Sequence, residues 1–145
     1  GAEESARVAI EKQYLKATEA TKLRYYDGCV SMRHASYAAF GPDGVRARLD
    51  LDEQRLKNIL ATAIHIDEKM QVLSFEKLSD SKVRCEIQDT LQFVSATAAI
   101  KDAQQVVLDT RCQDTWIRTR SGWRLLETKI LKQDAISKPF VPNSQ

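Results

Sequence analysis

The chain has 145 residues, 43% of them apolar and 29% charged, the proportions of a single soluble globular domain with room for a core. Its 22 basic and 20 acidic residues leave a net charge of +2, too balanced to direct it to nucleic acid or to a membrane surface. No apolar run approaches the roughly 20 residues of a spanning helix, and the compartment stays open, because a removed secretory leader could have preceded Gly1.

From Glu4 to about Tyr26, the positions Ala6, Ile10, Tyr14, Ala17, Thr21 and Tyr25 recur at steps of three and four. That period predicts one long helix with a continuous buried stripe. Gly28 suits its C-terminal break, and Cys29–His34 predicts a short second helix. Tyr37–Phe40 reads as a short strand, Gly41-Pro42-Asp43-Gly44 as a turn, and Val45–Leu49 as a returning strand. Asp50-Leu51-Asp52-Glu53 has the pattern of a capping box ahead of a helix striped by Leu56, Ile59, Leu60 and Ala63.

From Ile64 the period changes to two. Ile64, Ile66, Met70 and Val72 alternate with His65, Asp67, Lys69 and Gln71, with Glu68 as the polar exception on the apolar side. A hairpin turn at Leu78–Lys82 leads into Val83, Cys85, Ile87, Asp89, Leu91 and Phe93 on one face. Ala99–Gln104 turns into a strand whose apolar face carries Val106, Leu108, Thr110, Cys112, Asp114 and Trp116, and Ser121-Gly122 turns into the last strand. Helices collected on one side of an antiparallel meander make an α+β domain. It is expected over residues 1–136, with 137–145 as an extended tail containing Pro139 and Pro142. Long strands meeting a long helix must curl, which leaves a conical cavity.

Asp114 and Asp89 are carboxylates on apolar strand faces. Burying an ionised carboxylate without partners costs several kcal/mol, so each is expected to pair with a cation such as Arg118, Arg124 or Lys129, to be protonated, or to face a cavity. If both face one cavity, each raises the other's pKa and one is neutral near neutral pH. Tyr14, Tyr37 and Trp116 fall on inner positions, where core packing and pocket lining are alternatives. His34 is either a general base or a helix-end histidine, and His65 falls on the polar face.

The two histidines and the three cysteines, Cys29, Cys85 and Cys112, show no metal-ligand spacing, so neither metal nor cofactor is expected. Cys85 and Cys112 read as core residues. Arg118, Arg120, Arg124, Lys129 and Lys132 alternate with apolar residues and read as a solvated sheet edge. No nucleophile elbow, phosphate loop, dinucleotide fingerprint or zinc-protease motif occurs.

Three segments carry a family resemblance: Ile10-Glu11-Lys12-Gln13-Tyr14, the Gly41-Pro42-Asp43-Gly44 turn, and the ending Asp114-Thr115-Trp116-Ile117-Arg118-Thr119-Arg120-Ser121-Gly122-Trp123-Arg124-Leu125. Through them the chain resembles the nuclear transport factor 2-like superfamily, with its polyketide-cyclase-like and ketosteroid-isomerase-like domains. The resemblance implies a cone: a strongly bent, mainly antiparallel sheet wrapped on three helices, with an internal pocket. It also implies a homodimer through the outer sheet face, with Arg111, Gln113, Thr115 and Ile117 as interface candidates. By sequence alone these four form a solvated face.

Tyr14 matches the first-helix tyrosine that donates a hydrogen bond to the substrate oxyanion in steroid isomerases, and Asp114 lies near the protonated acid that serves the same oxyanion. The base of those enzymes comes from the short strand before the turn, where this chain offers Ala39, Phe40 and Gly41 and no carboxylate. Dehydratase-like members use paired histidines with an acid and tyrosines, and His34 and His65 are the histidines here.

Three functions are consistent with these residues. The first is a small-molecule binding domain, holding a modest apolar molecule with a carbonyl or hydroxyl between Tyr14, Tyr37, Asp89, Asp114 and Trp116. The second is an acid–base enzyme of dehydratase, isomerase or cyclase type, with Asp114 as proton donor and His34 or Asp89 as base. The third is a dimeric interaction module whose cavity is filled by side chains.

Overall fold

A computed structural model of the chain describes residues 1–95 and 102–142, apart from the side chains of residues 2 and 3. Half of the turn expected at Ala99–Gln104, residues 99–101, lies outside them. The described residues form helices α1 (Ala2–Lys22), α2 (Tyr26–Val30) and α3 (Leu49–Thr62) and strands β1 (Arg33–Phe40), β2 (Ile66–Ser79), β3 (Lys82–Ser95), β4 (Gln104–Thr119) and β5 (Gly122–Pro139). The strands make one curved sheet in the order β1-β5-β4-β3-β2. Its pairs are antiparallel except β1 with β5, which is parallel. No helix among the described residues is long and apolar enough to cross a membrane.

The helix period places α1. Ala6, Ile10, Tyr14, Ala17 and Thr21 are all buried against the sheet, while Tyr25 lies beyond the helix and is exposed. The helix ends earlier than its stripe suggests. Tyr25 N–H donates to the Ala20 carbonyl and Arg24 N–H to that of Thr21, with Arg24 at a φ of 60°. This is a Schellman ending with a non-glycine residue in the left-handed position. Arg24 is held there by its guanidinium, which donates to the Leu60 carbonyl at 3.0 Å. Gly28 is not the break; it lies inside α2, where an added Cβ would come 2.7 Å from Ala20 Cβ.

Three further expectations are corrected. The second helix is displaced to Tyr26–Val30, so Arg33 and His34 belong to β1 rather than to a helix end. Val45–Leu49 does not form a strand: Arg46 makes one isolated bridge to Phe40, and Leu49 already opens α3. The capping box does not form either. The N-cap is Arg48, whose guanidinium takes both carboxylate oxygens of Asp50 at 3.1 and 2.9 Å.

The strand faces follow the alternation. Val83, Cys85, Ile87, Cys112, Asp114 and Trp116 are buried, with Ile10 and Tyr14 of α1 packed in the same core. Arg111, Gln113, Thr115 and Ile117 occupy the other face, where the Arg111 guanidinium lies 3.8 Å from Glu86. On β5 the alternation breaks twice. Trp116 pairs with Leu125 and Thr115 with Glu127, while Cys112 pairs with Ile130 and Arg111 with Lys132. Leu126 and Leu131 are thus bulged residues, and each resets which side chains face inward. Pairing continues to Pro139, opposite Gln104, three residues into the segment expected as tail. Cys29, Cys85 and Cys112 are free thiols, the last two buried.

Candidate functional site

The inner face of the sheet is organised in rungs across neighbouring strands. One rung is Cys85, Asp114 and Thr128, the next Ile87, Cys112 and Ile130, and the next Asp89, Thr110 and Gln133. Met70 opposes Asp89 from β2, and Glu68 opposes Leu91 one rung further on. Two layers of polar chemistry result, separated by the apolar rung.

The deeper layer is closed. Tyr14 Oη donates to Asp114 Oδ2 at 2.6 Å and accepts the Trp116 Nε1 proton at 2.9 Å. The two rings meet edge to face, with centroids 5.2 Å apart. Asp114 is 2% exposed and Trp116 fully buried. Burial pushes the Asp114 carboxyl up to about 6, against the hydroxyls of Tyr14 and Thr128 and the charge of Arg33. Burial and then the neighbouring Asp114 hold the Tyr14 phenol well above its ordinary value. Neither predicted aspartate forms a salt bridge among the described residues. Asp114 takes Tyr14 instead of a cation, and its Oδ1 has no hydrogen-bond partner among those residues.

The shallower layer lines a cavity of about 330 Å³ between the sheet and all three helices. Ala17, Val30, Leu56, Met70, Leu91 and Ile130 give it apolar walls. Its polar groups include Glu68 and Asp89, Asp52 and Glu53 from α3, Thr110, Thr128 and Gln133 from β4 and β5, and Arg33 and Tyr37 from β1. Arg33 lies over the Tyr37 ring at 4.4 Å. Gln133 Nε2 donates to Thr110 Oγ1 at 3.0 Å, and Thr21 Oγ1 donates to Glu68 Oε1 at 2.7 Å. Burial, then the charge and hydrogen-bonding reach of Glu68, raise Asp89 far above the carboxylate range. Asp89 is therefore neutral near neutral pH, and its Oδ1 is buried without a partner among the described residues. A larger groove of about 700 Å³ runs outside, between α1 and the edge strand β2; Glu68 and Met70 line both spaces. The smaller cavity holds the perturbed acid.

Of the predicted site residues, Tyr37 and Asp89 line this cavity; Tyr14, Asp114 and Trp116 form the deeper layer and are not among its lining residues, while Tyr14 also lines the outer groove. His34 is not among them either, and its Nδ1 accepts the Ser36 backbone N–H at 3.0 Å. His65 is exposed beside Phe140, so the two histidines do not meet in the cavity. Ala39 presents a methyl to it from the strand before the turn. Glu68 was visible in the sequence as the polar exception. Thr128 was hidden by the bulge at Leu126, and Arg33 by the expected helix. No group of three or more His, Cys, Asp or Glu among the described residues is arranged to hold a metal ion.

A long helix and two shorter ones packed on one face of a curved five-stranded sheet, with a cavity between them, define the nuclear transport factor 2-like fold, and this chain has it. Particular solved structures share it at low identity. A hexachlorocyclohexane dehydrochlorinase, LinA type 3 from Novosphingobium barchaimii, is 13% identical with a TM-score of 0.69, over 97% of this chain and 94% of that one. A protein proposed to be a scytalone dehydratase from Novosphingobium aromaticivorans is 8% identical, TM-score 0.70, over 99% and 93%. A conserved protein from Planctomyces limnophilus is 12% identical, TM-score 0.73, over 92% and 99%. At such identities the likeness concerns the fold alone. No family model and no curated protein sequence matches the chain.

Proposed function

We propose that this is a small-molecule binding domain whose ligand is a modest, largely apolar molecule with one polar group. The observation that carries the reading is the Glu68–Asp89 pair at the wall of an otherwise mostly apolar cavity, with Asp89 Oδ1 unpartnered among the described residues. A buried oxygen left without a partner costs free energy that a bound donor recovers, and apolar walls with a few convergent polar groups are what ligand sites offer.

The test is a thermal-shift titration with small cyclic alcohols and ketones, run on wild type and on Ala39→Leu, which fills the cavity from β1. A concentration-dependent rise in wild type that is lost in Ala39→Leu is the expected result. A rise of equal size in both proteins would move binding elsewhere on the molecule.

One observation favours a second reading, acid–base catalysis on such a ligand: Asp89 keeps a proton at neutral pH in contact with the cavity. In that reading Asp89 is the acid. Asp114 is already engaged by Tyr14, and His34 is not among the cavity-lining residues.

A further inference from the structure

Glu68 and Asp89 sit diagonally across β2 and β3, and both line the cavity. Two carboxylates at one cavity wall repel each other when both are ionised, and burial and then Glu68 favour the protonated form of Asp89. Thr21 already donates to Glu68 Oε1, whereas Asp89 Oδ1 is buried with no donor among the described residues.

In the outer groove beside Glu68, Lys22 lies 3.6 Å from both Glu19 and Asp67. Arg33 on β1, the cation among the lining residues, lies over Tyr37 and its charge acts on Asp114. From α3, Asp52 and Glu53 are matched by Arg55 at 3.4 Å and Lys57 at 3.8 Å. Elements α1 and β5 present the neutral Thr21 and Gln133, and α2 presents Tyr26 and Cys29. From β4, Asp114 and Asp109 add further negative potential at Asp89. No salt bridge reaches Glu68 or Asp89 among the described residues.

We propose that the ligand is an organic cation, a small apolar amine whose ammonium group sits between Glu68 and Asp89 and donates to both. The inference rests on the binding reading above and names its ligand class. The exchange balances: a protonated amine enters, Asp89 becomes ionised, and its proton leaves to solvent. An ammonium relieves the like-charge repulsion and brings several N–H donors, one of them for Asp89 Oδ1. A neutral hydroxyl brings one donor and relieves no repulsion. The raised pKa of Asp89 makes the exchange pH-dependent.

The test compares three probes on one carbon frame, 2-phenylethylammonium, 2-phenylethanol and phenylacetate, by titration calorimetry in phosphate and in Tris. The ammonium is expected to bind about tenfold more tightly than the alcohol or more, and the buffer dependence of the heat to report about one proton released per ligand. Its affinity rises between about pH 6 and about pH 8. In Glu68→Gln the preference for the ammonium over the alcohol falls about tenfold. Equal or tighter binding of the alcohol, a preference for phenylacetate, or ammonium binding without proton release each overturns the cation assignment and leaves the cavity as a binding site. Binding of none of the three overturns both.

Discussion

Tyr14 satisfies two buried polar atoms with a single hydroxyl, donating to Asp114 and accepting from Trp116. Tyr14→Phe keeps the ring and its edge-to-face contact but leaves a carboxylate oxygen and an indole N–H unpaired in the core. Each such group costs about 1–3 kcal/mol, so a loss of about 2–4 kcal/mol is expected in urea denaturation. A loss below about 1 kcal/mol would mean that water reaches the pair. All three members of this cluster were legible from helix and strand periods. Their mutual bonding was not, because 100 and 102 positions separate Tyr14 from its partners. Glu68 was legible as an exception to its face, although only the fold joins it to Asp89.

At the scale of elements, two devices set the cavity. The bulge at Leu126 turns Thr128 and Ile130 inward, where strict alternation from Trp123 would have pointed Glu127 and Lys129 to the core, and the bulge at Leu131 restores the original alternation at Gln133. Short α2 is the other device. It carries Tyr26 and Cys29 to the cavity wall and can approach α1 only because residue 28 lacks a Cβ, with Ala20 Cβ 2.7 Å and the Tyr25 ring 2.9 Å from where one would sit. Gly28→Ala is therefore expected to cost about 1–3 kcal/mol through overpacking. Because α2 must move, it should also weaken ligand binding in the thermal-shift titration. Unchanged stability would show that α2 rests on α1 loosely. The spacing of Gly28 after an apolar stripe suggested a helix end, yet the same residue serves close packing, a role no local pattern distinguishes.

For the whole molecule, the buried acids set the response to pH. Asp89 and Asp114 both bind protons more tightly folded than unfolded, so stability is greatest below the unfolded carboxylate value and falls as pH rises through the folded ones. For Asp114, moving from 3.8 to about 6, the decline corresponds to about 3 kcal/mol across that window. For Asp89 it continues to higher pH. The stability gained by Asp89→Asn over wild type should therefore grow between about pH 5 and about pH 8 in urea denaturation. A difference that stays constant would mean that Asp89 titrates as an ordinary surface carboxylate.

The sequence by itself determined the α+β class, the long helix, the four long strands and the two aspartates on apolar faces. Each of these follows from a local period, because backbone geometry repeats every 3.6 or 2 residues. The tertiary structure alone decided which acids meet, which is closed off by Tyr14 and which lines the cavity, and where β1 begins. Those outcomes depend on strand register, on two bulges and on the docking of α2 against α1. Register and docking are fixed by contacts between residues far apart in the chain, and a single bulge reverses every side chain beyond it.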